Sequence, residues 1–159
     1  MSRISKTLAA GRRSFLKTLG LGAVAGGVAV AAKAEPAQAA KGGKQKVVYH
    51  LSDLNKVNFV LGNIRNHIKG MGGPQNVEVV LVTHGPALKA FHAIQVARSV
   101  EKKVAALQKV GIRFDACGNT MHAQKVTTKD LLPNFNNAHE GGVVRIAKLQ
   151  EQGYIYLRP

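Results

Sequence analysis

The sequence predicts an α/β domain: a mainly parallel sheet of about five strands with helices on both faces. Three observations carry that expectation. Short, nearly all-apolar runs such as Val77-Glu-Val-Val-Leu-Val82 read as strands covered on both faces. Between them, segments such as Leu54, Val57, Leu61, Ile64 and Ile68 step by 3, 4, 3 and 4, the period of one buried helical face. The two patterns alternate along the chain, as parallel strands joined by helical crossovers require.

The first 39 residues stand apart from that alternation. A twin arginine, Arg12-Arg13, is followed by Ser-Phe-Leu-Lys and then by a mild apolar run, Leu19 to Ala32. At 14 residues the run is shorter than the roughly 18 to 20 a spanning helix needs. Small-residue cleavage sites follow at Ala37-Gln38-Ala39 and at Ala32-Lys33-Ala34. The expectation is a twin-arginine export signal over 1–39, cleaved after Ala39, with the mature protein periplasmic and without a stable membrane anchor. Residues 40–159 then form one domain.

Within that domain, residues 46–51 read as the first strand, with Ser52 or Asp53 capping the helix that carries the apolar stripe from Leu54. Gly70 to Pro74 ends this helix. The strand over 77–82 closes with Thr83-His84-Gly85-Pro86. A short helix is expected over 87–94 and a longer one over 96–110, with Ala97, Val100, Val104 and Leu107 on its buried side. Gly111 stops it. Ile112 to Ala116 is the third strand, closed by Cys117, and Gly118-Asn119-Thr120 reads as a turn into a new helix that Asn119 or Thr120 could cap. Thr127 or Thr128 caps a brief helix ending near Pro133. Residues 134–140 fit a short strand or an irregular loop equally. A helix over 142–152, Gly153 as its C-terminal stop and a strand over 154–157 complete the chain.

Charge and cysteine usage narrow the function classes. The whole chain carries 23 basic and 8 acidic residues; beyond residue 39, 17 basic and 7 acidic residues remain, a net +10. The lysines are scattered over several helices with few aromatics between them, which argues for a solvated surface attractive to anions or membrane headgroups and against nucleic acid. No phosphate-binding glycine motif is present, and Gly70-Met-Gly-Gly-Pro74 follows a helix instead of a strand. Neither Ser14 nor Ser52 sits in a nucleophile elbow. A single cysteine excludes an internal disulfide and, in an oxidising compartment, points to a reactive thiol or a bond between chains.

If the strands are parallel, three strand ends share one edge and gather His50-Leu51-Ser52, Thr83-His84-Gly85 and Cys117-Gly118-Asn119. Free backbone N–H groups at the following helix can stabilise a thiolate. Histidines beside it can pair with that thiolate or shuttle protons. The candidate catalytic set is therefore Cys117, His84 and His50, with Gly118, Asn119, Thr120, Ser52 and Gly85 as candidate binding residues. Cys117 and His122, joined by His84 or His50, form a competing soft-metal arrangement. The spacing Cys-x4-His is itself unspecific. No cofactor is expected for the thiol reading. Beside the thiol reading stand a non-catalytic periplasmic binding module that uses the same crevice for a metal ion or small ligand, a structural oligomer whose buried cysteine is inert, and histidines that only hydrogen-bond in the sheet.

Val47-Val-Tyr-His-Leu-Ser-Asp53, Val79-Val-Leu-Val-Thr-His-Gly85 and Gly111-Ile-Arg-Phe-Asp-Ala-Cys-Gly-Asn-Thr120 resemble the DsrE/DsrF-like family. The ending Leu149 to Pro159 resembles that of its exported, single-domain members. The resemblance implies a three-layer α/β/α sandwich of Rossmann-like topology, and a homo-oligomer, trimer or hexamer. It also implies persulfide sulfur carried on Cys117, exchanged with donor and acceptor proteins or small sulfane sulfur compounds. Cytoplasmic sulfur-relay members usually carry Arg-Gly seven and eight residues after the cysteine; Gln124 and Lys125 stand there in this chain.

Overall fold

A computed structural model describes residues 43–159. The expected export signal and its cleavage sites lie outside the described residues. Among the described residues, no helix is long and apolar enough to cross a membrane. Strands β1 (Gln45–Leu51), β2 (Val77–Thr83), β3 (Arg113–Cys117), β4 (Phe135–Ala138) and β5 (Ile155–Leu157) form one sheet in the order β4-β3-β2-β1-β5. Every neighbouring pair is parallel. The helices are α1 (Val57–Gly70), α2 (Arg98–Lys109), α3 (Gly118–Gln124) and α4 (Gly142–Glu151). The predicted α/β class and five parallel strands are both present.

The order of the strands decides where each helix lies. From β1 to β4 the chain steps in one direction across the sheet, and right-handed crossovers then keep the connecting helices on one face. The return to β5, beyond β1, brings α4 across the opposite face. The packing follows. Val60 and Ile64 of α1 and Val104 and Leu107 of α2 join Val79, Leu81 and Phe114 in the larger core. Ile146 and Leu149 of α4 join Val48, Val80, Val82 and Tyr154 in the smaller one. Burying each such side chain contributes about 1.5–3 kcal/mol relative to leaving it in water.

Register brings the strand ends level: Leu51 lies opposite Thr83, Thr83 opposite Ala116, and Cys117 opposite Ala138. His50 pairs with Val82, and Val82 with Asp115. Because side chains alternate across a strand, His50, Val82, Asp115 and Cys117 share the face that α4 covers.

Several expected details differ. The helix expected from Leu54 begins as a single 3-10 turn, Leu54–Lys56, capped by the Asp53 carboxylate on the Asn55 N–H at 2.8 Å. Leu54 is consequently exposed, while Val57, Leu61, Ile64 and Ile68 are buried. The short helix expected over 87–94 is a 3-10 segment, Gly85–Phe91. Ala97 stands at the N-terminal boundary of α2, exposed instead of on its buried side. Residues 134–140 contain a true strand, β4, because Phe135 and Ala138 can bury beside β3. Most relevant to function, no turn separates Cys117 from α3: the cysteine ends β3 and is itself the N-cap residue. Asn119 and Thr120 therefore lie in the first helical turn, where their N–H groups are free of helical partners.

Candidate functional site

Cys117 sits at the carboxyl end of β3, where open α/β sheets place their ligands. Its side chain is 6% exposed. Burial opposes ionisation of the thiol, but four donors oppose burial: the Thr120 hydroxyl and the backbone N–H groups of Gly142, Thr120 and Asn119. The donors prevail, and the thiol pKa lies below its ordinary value. Of the backbone donors, two come from the first turn of α3 and one from the first residue of α4, so the N-termini of two helices face one sulfur. The Thr120 hydroxyl is oriented in turn, accepting from the Gly85 N–H at 2.9 Å.

Gly142 leaves the room this arrangement needs. A Cβ there would stand 3.2 Å from the Cβ atoms of both Cys117 and His84, and 3.6 Å from the sulfur. Gly141, with φ +94°, turns the chain from β4 into α4 in a conformation that favours glycine. α4 is tied to the sheet by Arg145, whose Nε donates to the buried Asp115 carboxylate at 2.7 Å. Asp115 also accepts from Asn136 Nδ2 at 3.1 Å.

The two histidines form a row at the carboxyl ends of β1 and β2. His84 adjoins Gly142. Its Nε2 lies 2.5 Å from Nε2 of His50, whose Nδ1 lies 2.6 Å from the Tyr156 hydroxyl. The imidazole rings are within 19° of coplanar with centroids 4.7 Å apart. With the two Nε2 atoms so close, that separation is an edge-to-edge hydrogen bond in the ring planes and not a stack. One proton can occupy the bond, so at least one Nε2 is bare. Burial, the neighbouring His84 and Arg158 hold the His50 pKa down at about 4. Burial and Arg158 also lower that of His84. Ion pairing between an imidazolium and the thiolate, one role expected for these residues, does not account for the lowered thiol pKa at neutral pH; neutral donors do.

The remaining candidates divide. Ser52 accepts from Arg158 at 3.2 Å through its hydroxyl, and its carbonyl accepts the Ala87 N–H. Gly85, at φ +59°, serves Thr120. Gly118 is there for close packing: a Cβ would meet Ala138 O and Asn137 Oδ1, each at 2.9 Å. His122 is exposed on α3. Among the described residues, no group of three or more His, Cys, Asp or Glu side chains is placed to hold a metal ion. The arrangement of Cys117 and His122 with His84 or His50 is therefore not assembled. Gln124, where relay members carry Arg, donates to Gly85 O at 3.0 Å and pairs with His92 Nε2 at 2.9 Å, bracing the loop after β2. Gly142, Tyr156 and Arg158 were not anticipated. The available signal was the Gly141-Gly142 pair directly before a helical stripe.

The sequence model of the DsrE/DsrF-like family matches residues 50–159. No curated protein matches the chain. Among solved structures, the protein of unknown function MTH1491 from Methanobacterium thermoautotrophicum is similar at 26% identity and TM-score 0.65, over 73% of this chain and 100% of that one. The ychN protein from E. coli is similar in fold at 13% identity and TM-score 0.54, over 72% of this chain and 99% of that one. BT1422 from Bacteroides thetaiotaomicron is similar in fold at 14% identity and TM-score 0.55, over 72% and 95%.

Proposed function

This chain belongs to the DsrE/DsrF-like family, which is associated with sulfur relay in general, and from that premise we propose that it carries sulfur as a persulfide on Cys117. The observation that carries the reading is the placement of one buried thiol at the carboxyl end of β3, as the N-cap residue of α3, with the first residue of α4 packed against it. A lowered pKa keeps more of the sulfur as thiolate, the form that reacts.

The exchange needs no oxidant. The Cys117 thiolate attacks the outer sulfur of a donor persulfide R–S–SH; the new S–S bond forms as the donor's S–S bond breaks, leaving Cys117–S–SH and the donor thiolate. An acceptor thiolate then attacks the outer sulfur of Cys117–S–SH and releases the Cys117 thiolate. Where Cys117 begins as the thiol, its proton leaves before the first attack, and His84, with its row to His50 and Tyr156, is the proposed acceptor. Low exposure of Cys117 limits loss of the persulfide to water.

The same proposal has the carrier exported by the twin-arginine route and working in the periplasm as a homo-oligomer. Arg12-Arg13 before a mild apolar run supports the first part. Exposed Val143, Val144 and Ile155 support the second. The decisive experiment is the intact mass of the protein after incubation with polysulfide. One added sulfur atom, removable by reductant and absent from Cys117→Ser, is expected. Equal uptake by the serine variant, or none by the native protein, overturns the carrier reading.

A further inference from the structure

The face covered by α1 and α2, away from Cys117, carries a groove of about 410 Å³ between these helices. Its floor is apolar: Leu61 and Ile68 of α1, Leu107 of α2 and Val110 beyond it. Its rim is cationic, with Arg65 and Lys69 on one side and Lys102 and Lys103 on the other. No carboxylate lines it among the described residues. Lys103 is engaged with Asn58 Oδ1 at 2.8 Å. The ion pairs among the described residues are Arg113–Glu78, Arg145–Asp115 and Lys148–Glu140, so the other rim cations take no part in them.

Gly62 is a second, independent sign. Glycine inside a helix costs stability and is normally explained by a close neighbour or a positive φ. Here neither applies: nothing lies within 4 Å of where a Cβ would be, and that open space belongs to the groove. With Ala106 across from it, Gly62 keeps the slot clear.

We propose that this groove binds one long-chain aliphatic carboxylate, its alkyl chain along the floor and its head among Arg65, Lys69 and Lys102. Charge excludes the obvious competitors. Residues 1–39 carry six basic residues and one acidic, the same sign as the rim. A second copy presenting this face would set cations against cations. A single flexible chain with an anionic end satisfies both volume and charge.

Calorimetric titration of the full chain with sodium dodecanoate, below its micelle concentration, tests this. Saturable binding of one molecule per chain is expected, with none of dodecyltrimethylammonium. Arg65→Glu with Lys102→Glu should weaken it roughly tenfold. Gly62→Leu should abolish it while leaving the Cys117 alkylation rate unchanged, since leucine fills open space in a helix it favours. Absence of saturable binding, equal binding of the cationic amphiphile, or unchanged binding in both variants overturns the proposal. So does binding to phosphatidylglycerol vesicles without binding to monomeric dodecanoate, which would make the face a membrane surface.

Discussion

Arg145 holds the buried carboxylate of Asp115 at 2.7 Å, and this pair sets α4 over the end of β3. Arg145 lies one helical turn beyond Gly142, and Asp115 lies two residues before Cys117 on the same face of the strand. The pair thus works as a clamp that fixes the Gly142 N–H against the sulfur. Removing one partner of a buried pair leaves an uncompensated charge. Arg145→Ala should therefore destabilise the domain by about 3 kcal/mol in urea unfolding. Lys148→Ala breaks the more exposed 3.5 Å pair with Glu140 and should cost less than about 1 kcal/mol. Equal losses would show that the clamp contributes nothing special.

Gly142→Ala tests the space beside the thiol. Alanine suits the start of a helix, so the fold should survive, but its Cβ crowds Cys117 and His84 at 3.2 Å. Iodoacetamide should alkylate Cys117 roughly five- to tenfold more slowly. An unchanged rate would mean that the sulfur is approached from elsewhere.

The pH dependence of alkylation reports the thiol pKa. Its midpoint should fall below the free-cysteine value of about 8.5. Thr120→Val, which removes the hydroxyl donor, should move it upward, and Thr120→Ser should restore it. A midpoint indifferent to valine would leave the backbone N–H groups as the whole cause.

Stability should fall on the acid side of neutrality. In the unfolded chain His50 binds a proton below about 6.5, whereas in the folded chain it does so only below about 4. Between those values the unfolded state holds more protons, so stability declines as pH drops through that window and levels off beneath it. Above about 6.5 His50 contributes no slope. His50→Gln should flatten the decline in thermal unfolding between pH 6.5 and 4. The same slope in both proteins would assign it to other groups.

Lys125 closes α3 in the left-handed region, at φ 57° and ψ 41°. A side chain there costs about 1–2 kcal/mol, and glycine avoids the cost. Part of the gain is lost to glycine's freedom in the unfolded chain. Lys125→Gly should raise stability by about 0.5–1 kcal/mol, and Lys125→Ala should not. A destabilised glycine variant would mean that the lysine side chain has a structural role.

The centre of the sheet was readable because β1 and β2 are apolar on nearly both faces, whereas β4, with Asn136 and Asn137 between Phe135 and Ala138, matched a loop equally well; the gathering of strand ends followed from parallel topology alone. Alternation along the strands even carries which face Cys117, Asp115 and His50 share, once the register is known. What the local pattern does not hold is the return of the chain. Gly142 reaches Cys117 only because β5 joins the sheet beyond β1 and drags α4 across the second face. Tyr156 meets His50 for the same reason. Contacts set by strand order leave no period or motif in the segments that make them. Lys125 is a different case: helix stops favour glycine, and a lysine gives no local warning of a left-handed turn.

The row from Tyr156 through His50 to His84 has a direction. Each hydrogen bond in it holds one proton, so the donors point inward or outward together, and turning one requires turning the others. When they point inward, a proton released from the remaining ring nitrogen of His84 can be replaced by one from His50, and that by one from Tyr156. The deficit then appears at a hydroxyl 106 residues away in sequence from His50, on a side chain 37% exposed to solvent. Water can balance the account of protons at the surface without ever touching the sulfur.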